Sequence, residues 1–532
     1  MTATTVDQAP APPPSESAGR RINITIVMLG LLLAMMLAML DNMIVGTAMP
    51  KIVGELGGLS KLSWVVTAYV LGVAVSTPIW GKLGDLYGRK RVFLTSIVLF
   101  IIGSMLSGAA GEFAWLNDQV APMTQLILFR AFQGLGAGGL MVGAFALIGD
   151  LVAPRDRGKY QGMMGGIMAL SMIAGPLVGG LITDNASWRW IFYMNIPIAG
   201  AALFLLITFL HLPRRRTEHK IDWLGAGLLA VGITSVVLIT TWGGKDYAWT
   251  SRTIIGLGVL AIVSLIGFVF VQNRVPEPIL PLGLFKNANF SLVSGIGFLV
   301  GFGLFGAVSF LPLYMQTVQG ASATNSGLLL LPMMMGVMVT SIVIGRLITK
   351  TGRYRAFPII GGVIMLVAML LLTRLDVDTS KTESTIYMVL LGLGMGFMMQ
   401  TTLLISQNSV ELKDMGVASS TATFARSIGG SFGVALFGAV FTDRMKEDIT
   451  KSVGPQAAAM VDQGGAGFQP GQLDQLAPQV KTGLLHAIAY GMSGLFWWAL
   501  AFALVIPVLA WFIREVPLRT SEDHAQAMAA ME

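Results

Sequence analysis

The stretch "GKLGDLYGRKR", residues 81–91, packs four cations, one acid and three glycines into eleven residues. It lies between two long apolar runs, in a chain of 532 residues that is 54% hydrophobic. A weaker copy, "GRLITKTGRYR", stands at residues 345–355. Gly81 and Gly88 are seven apart, and so are Gly345 and Gly352; Arg89 and Arg91 match Arg353 and Arg355. Each copy follows the second apolar run of its half. The match predicts an internal repeat of two six-helix halves carrying equivalent loops.

Only 12% of the residues are charged, where a soluble domain carries about 25%, and the mean hydropathy is +0.72. Apolar stretches of about 18 or more residues recur along the chain, and each reads as a membrane-spanning helix. A span must satisfy its own backbone hydrogen bonds, which a helix does alone. The short alternating segments of a β-barrel are absent. The 64 glycines and 32 methionines suit close helix packing and soft apolar surfaces. With no cysteine, disulfide and thiol chemistry are excluded. The net charge of +7 is scattered over short loops, which argues against nucleic acid. Four histidines form no HExxH pair, and no Gly-rich Lys-Ser/Thr phosphate cradle occurs. A metal site, a membrane-embedded transferase and direct ATP drive are therefore disfavoured. No cofactor is expected.

Hydropathy predicts fourteen spans, at about 24–48, 62–82, 91–111, 124–147, 160–183, 190–211, 222–242, 253–272, 290–316, 326–348, 357–374, 385–407, 418–441 and 485–513. Residues 1–22 form a disordered tail, 23–213 the first six-helix bundle, and 214–289 two extra helices with a proline-rich connector. Residues 290–515 form the second bundle, with a long outside loop at 442–484, and 516–532 a second tail. Arg20 and Arg21 precede an apolar run too long for a signal-peptide core, so the first helix is read as uncleaved. With the N-terminus inside, inside segments hold 22 Lys and Arg against 11 outside. This places both termini in the cytoplasm.

"GKLGDLYGRKR" resembles the signature loop between helices two and three of the major facilitator superfamily. "ILFRAFQGLGAGG" (127–139) is similar to its fourth-helix motif, and "GIMALSMIAGPLVGG" (166–180) to the fifth-helix motif of drug:proton antiporters. "LDNMIVGTAMP" (40–50) and "SWRWIFYMNIPI" (187–198) resemble the fourteen-helix branch. The resemblance covers roughly residues 24–515. It implies two six-helix bundles plus two central helices. It also implies proton-driven export of drugs and other amphipathic compounds by alternating access, with no cofactor. Met43, Gly46 and Ser171 depart from the motifs, and Thr349 replaces the acid of the second loop.

Asp41 lies late in the first span, where an acid costs on the order of 3 kcal/mol. It is the leading proton carrier; the other reading is a cap on the outer helix end near Pro50. Arg130 must face protein or water, and the resemblance links it to proton coupling; otherwise it snorkels to the interface. Arg426 is the second intramembrane cation, with a structural role and a substrate or proton role equally open. Gln133 shares a helix face with Arg130 and joins Tyr314 and Gln316 as a cavity-lining candidate, with packing the plainer reading for the ninth span. Gly175 and Pro176 are expected to interrupt the fifth helix, with Gly179 allowing close approach. The result is either a flexing helix or a static kink. Gly81, Asp85, Gly88 and Arg89 are read as a cytoplasmic latch in which Asp85 accepts from the N-terminus of a helix of the other bundle. The alternative is a plain topology signal. As Asp41 is the only acid well inside a core span, the expected substrates are large, apolar and neutral or monovalent cationic. A monomer in the cell membrane is expected. A dedicated exporter of a lipid, antibiotic or metabolite is the alternative, followed by a membrane sensor.

Overall fold

The computed structural model of the chain describes residues 24–57, 61–211, 222–244, 247–321, 329–411, 414–452 and 478–518. Among them, fourteen helices have fifteen residues or more. They are α1 Ile24–Leu56, α2 Leu62–Tyr87, α3 Arg89–Gly108, α4 Pro122–Leu151, α5 Pro154–Asn185, α6 Asn195–Phe209, α7 Trp223–Trp242, α8 Arg252–Gln272, α9 Ala288–Thr317, α10 Leu331–Thr351, α11 Ala356–Leu372, α12 Lys381–Asn408, α13 Met415–Ser452 and α14 Pro478–Trp511. The only bridge of β type among the described residues joins Gly243 and Tyr247. Twelve helices are long and apolar enough to cross a membrane, α6 counting with the short turn Trp190–Tyr193 before it. The other two are α11, with 17 residues, and α5, whose first turns carry Arg155, Asp156, Arg157 and Lys159.

Packing repeats with a shift of eight helices. In the first half α4 lies along α2 and α3, and α1 along α5 and α6. In the second, α12 lies along α10 and α11, and α9 along α13 and α14. Between the halves the pairing crosses, α2 on α13 and α10 on α5. Both crossings are backbone-close, because a side chain has no room there. A Cβ on Gly416 would sit 2.6 Å from the Gly81 carbonyl oxygen, and one on Gly158 2.6 Å from that of Gly345. The matched glycines of the repeat thus do matched work. Gly81 and Gly345 admit the neighbour, while Gly88 (φ +92°) and Gly352 (φ +71°) end the helix in a backbone conformation that costs other residues energy.

Helix starts are set by local chemistry. Asp222, Ser251, Asn287 and Ser380 cap α7, α8, α9 and α12, and Ser380 with Glu383 forms a reciprocal capping box. The α7–α8 hairpin lies outside both halves. Its α7 leans on α2 and α13 through a cluster that includes Ala74, Ile233 and Phe268. Asp222 ties the open end of the hairpin. It accepts from Gly225 N (2.8 Å) and Gln272 Nε2 (2.6 Å), while Gln272 Oε1 accepts from Leu280 N (3.1 Å). The proline-rich connector ends in a short 3₁₀ turn, Leu282–Lys286.

Two expectations change. The thirteenth helix does not stop at 441. It runs to Ser452, and α14 begins at Pro478. Beyond 441 the helix becomes amphipathic, burying Met445 and Ile449 and pairing Lys451 with Glu447 one turn back (2.7 Å). Hydropathy falls there while helicity persists. The fifth helix is not interrupted either: α5 is continuous across 175–180. The Pro176 ring lies outside the described residues, as do the tails 1–23 and 519–532 and residues 453–477 of the long loop.

The α5–α10 crossing yields a prediction. Ser341 is fully buried, and a Cβ on Gly162 would lie 2.8 Å from its carbonyl oxygen. In the cysteine-free chain, Ser341→Cys should resist N-ethylmaleimide. Adding Gly345→Ala overpacks the crossing, at a cost of about 1–3 kcal/mol, and labelling should accelerate several-fold. Equal labelling rates in the two backgrounds would contradict the close crossing.

Candidate functional site

Asp41 sits seventeen residues into α1, with fifteen more to follow, so it caps no helix end. It is 1% exposed. Arg130 of α4 is fully buried and forms an ion pair with it, Nη1 to Oδ2. Gln133, one turn along α4, is drawn in from both sides. Its Oε1 accepts from Arg130 Nη1 (2.8 Å), and its Nε2 donates to Asp41 Oδ1 (3.0 Å). Asn195, the first residue of α6, donates from Nδ2 to the same Oδ1 (2.8 Å) and to Ser104 Oγ of α3 (3.0 Å). Ser104 Oγ donates in turn to the Phe192 carbonyl (2.8 Å). The Arg130 guanidinium lies 4.0 Å from the centre of the Tyr69 ring, a cation–π contact, and Tyr69 is anchored through its hydroxyl to the Ala38 carbonyl (2.9 Å).

Chemically this is a carboxylate with one cationic and two neutral donors in a dry site. Arg130 does not snorkel. Its Nε and Nη2 meet no acceptor among the described residues. Protonation of Asp41 would cancel its attraction for Arg130 and leave the arginine to find another partner.

The latch residues meet at one end of the bundle. Both carboxylate oxygens of Asp85 accept from the first turn of α13, from Gly416 N (3.1 Å) and Val417 N (3.0 Å). Arg89 holds Asp85 from the other side, through Nε (3.0 Å) and Nη2 (2.7 Å) to Oδ1, and reaches Asp150 of α4 with Nη1. The acid thus joins α2 and α3 of one half to a helix N-terminus of the other, the favoured place for an anion. Lys82 pairs with Glu277 in the connector (2.7 Å). In the second copy Thr349 turns its hydroxyl back to the Gly345 carbonyl (3.0 Å), while its own carbonyl accepts from Arg155 Nε (3.2 Å).

The remaining candidates divide. Gln133, expected in a substrate cavity, belongs instead to the ion-pair cluster. Tyr314 is fully buried and donates to the Asp376 carbonyl (2.6 Å), pinning α9 to the loop after α11; it packs rather than lining a cavity. Gln316 is half-buried on α9. Gly175 brings α5 against Met43 of α1, and the Gly179 carbonyl accepts from Thr183 Oγ1 (2.7 Å). Arg426 lines a small cavity on α13. Sequence reasoning missed Asn195, Ser104, Tyr69 and Asp150 as members of these sites. It also missed the buried inter-half bridge from Gln161 to Gln407 (3.0 Å) and on to the Phe145 carbonyl (3.2 Å). For all but Asp150, an acid at the charged end of α4, the signal was an amide or hydroxyl inside an apolar run.

A family model described as Major Facilitator Superfamily matches residues 31–434. The multidrug transporter protein MdtP of Bacillus subtilis is 37% identical over 535 residues, covering 96% of each chain. Multidrug resistance protein 3 of the same organism is 36% identical, covering 95% of this chain and 98% of its own. Among solved structures, the proton:xylose symporter XylE superposes with a TM-score of 0.62 at 16% identity, over 94% of this chain and 98% of that one. At that identity the likeness speaks for the fold alone.

The ion pair predicts a stability cycle. Asp41→Asn leaves Arg130 charged and buried, which should cost about 3–5 kcal/mol. Adding Arg130→Gln removes the stranded charge and should restore part of the loss in thermal unfolding of the purified protein. A double variant less stable than Asp41→Asn alone would show that the two groups do not depend on each other.

Proposed function

The chain belongs to the major facilitator superfamily of membrane transporters, and from that premise we propose that it is a proton-coupled secondary exporter of amphipathic compounds that works by alternating access as an antiporter. The observation that carries the reading is the buried Asp41–Arg130 pair with Gln133 and Asn195 around it. A carboxylate there exchanges its counter-ion for a proton, and the move of Arg130 transmits the exchange to α4. The latch supports the second half of the cycle. Asp85 on the α13 N-terminus and the α5–α10 crossing close one end, and parting them opens it.

The multidrug relatives support a substrate that is chemically loose and largely apolar. The chain's 32 methionines offer the soft apolar surface that such molecules need. The cationic arm of the substrate expectation needed Asp41 to face substrate. Asp41 is 1% exposed and engaged by three donors, so neutral amphipaths are the part of that range the site favours. We read all fourteen helices as spans, the latch end as cytoplasmic with both termini, the host as the cell membrane, and the working unit as a monomer without cofactor. A dedicated exporter of one lipid or metabolite is the second reading; it shares the machinery and differs in breadth.

The test is flux in proteoliposomes against a panel of neutral, cationic and anionic dyes, with the pH gradient and the voltage imposed separately. Gradient-driven export is expected, and Asp41→Asn should abolish uphill movement while the protein remains inserted. Uphill export by that variant at the wild-type rate would remove Asp41 from coupling. For orientation, a single cysteine replacing the exposed Asp118 should react with an impermeant thiol reagent from outside the cell, and one replacing the exposed Asn273 should not. The reverse pattern would invert the topology.

A further inference from the structure

Arg426 lies eleven residues from the first residue of α13. At 1.5 Å per residue that is about 16 Å, near the middle of an apolar core about 30 Å thick. With Val300, Met399, Thr402, Leu403 and Thr423 it lines a cavity between α9, α12 and α13, with room for about one water. Its backbone is held firmly. Gly301 of α9 packs on the Arg426 carbonyl, and Gly429 and Gly433 of α13 pack on the carbonyls of Phe298 and Phe302.

The other intramembrane arginine of the core is matched: Arg130 meets Asp41. At the latch, Arg89 meets Asp85 and Asp150. Among the described residues no acid or hydrogen-bond acceptor meets the side chain of Arg426, which stands half-buried on the cavity wall. Thr423, 4% exposed and beside it, donates its hydroxyl to no described residue. An unpaired cation in a span works against stability, so packing does not account for it. We propose that Arg426 is a substrate-binding residue that receives the carboxylate, or an equivalent singly charged oxyanion, of an otherwise apolar substrate when the halves part. A guanidinium presents a planar pair of donors that fits a carboxylate. Thr423 adds a third donor, and the Val, Met and Leu wall takes the apolar body. The same cation repels a positively charged substrate. The proposal rests on the exporter reading only in calling the ligand a substrate, and it replaces the cationic arm of that reading with an anionic one.

The experiment measures binding to the purified full chain at fixed pH, without a gradient, by energy transfer from tryptophan to a dansyl group. Three probes share one body: 11-(dansylamino)undecanoate, its methyl ester and the trimethylammonium analogue. Wild type should bind the acid at least about tenfold tighter than the ester, and the ester tighter than the cation. Arg426→Gln should erase the preference for the acid while keeping ester affinity. Arg426→Lys should keep a reduced preference, because it retains charge and loses the planar fork. Thr423→Val should lower it a few-fold. An acid bound no tighter than its ester by wild type overturns the proposal and leaves Arg426 a hydrated structural cation. So does an undiminished preference in Arg426→Gln or, should that variant not fold, in Arg426→Lys. Failure of proton-driven flux leaves these affinities untouched, so the two readings fail separately.

Discussion

A charge inside a bilayer has no water to hold it, and this constraint arranges the polar structure of the first half. By insertion scales an acid at the centre of a span costs about 2.5–3.5 kcal/mol, and an arginine as much. Neither Asp41 nor Arg130 is tolerable alone, and together they need more than each other. The carboxylate takes donors from two further residues on two helices, Gln133 and Asn195. Asn195 in turn reaches Ser104. One buried acid therefore fixes the relative positions of α1, α3, α4 and α6. Whatever changes its charge must be felt in all four.

The same constraint is met differently at the latch. Asp85 is held both by a side chain, Arg89, and by backbone N–H groups at the start of α13. At Gly416 the carboxylate and the Gly81 backbone come so close that no side chain fits. A Cβ on Gly416 would meet the carboxylate at 2.6 Å. The second copy has no acid, and there the polarity is reversed: a cation of the first half, Arg155, serves carbonyls at the C-terminal end of α10. An exposed cation on carbonyls holds less firmly than a nearly buried carboxylate shared by a cation and a helix N-terminus. The α5–α10 crossing consequently relies on packing, and the α2–α13 crossing on charge. A repeat with two identical copies would have lacked this inequality.

The fold was largely legible because the bilayer imposes length and apolarity together. Each predicted span holds a helix, and the two glycine pairs seven apart announced the repeat. The landing of Asp85 on a helix N-terminus of the other half was foreseeable as a class of contact, since an acid among cations at a helix end has few other uses. Its address at Gly416 was not, because nothing in a linear sequence records which helix crosses which. The helix beyond 441 escaped for a physical reason: hydropathy tracks lipid, whereas Met445 and Ile449 are buried by protein. Gln133 was misplaced because spacing gives the face of a helix and not what that face meets. Asn195 stood inside a quoted motif, yet one amide in an apolar run carries no direction.

The two extra helices are bound by the same logic. The α7 helix touches α2 and α13 at once, the very pair that Asp85 joins, and Lys82, three residues before Asp85, holds Glu277 in the segment that follows α8. In the proposed cycle, parting the latch would move α2 away from α13. The hairpin could not then follow both, and would have to release one of them or slide along the seam. Sliding favours smooth, small surfaces, and Ala74 and Ala226 stand among the residues at this contact. The apolar side of α8 facing away from the bundle is bare, with Ile262, Val263 and Ile266 exposed, and lipid covers it in either position. The cost of the motion therefore falls on the few polar ties at the latch end. Among the described residues these include Lys82 to Glu277 and, inside the hairpin, Asp222 to Gln272 to Leu280. The second set lies within the hairpin and would travel with it, whereas Lys82–Glu277 bridges the hairpin's connector to α2 and would have to stretch or break if that end opened.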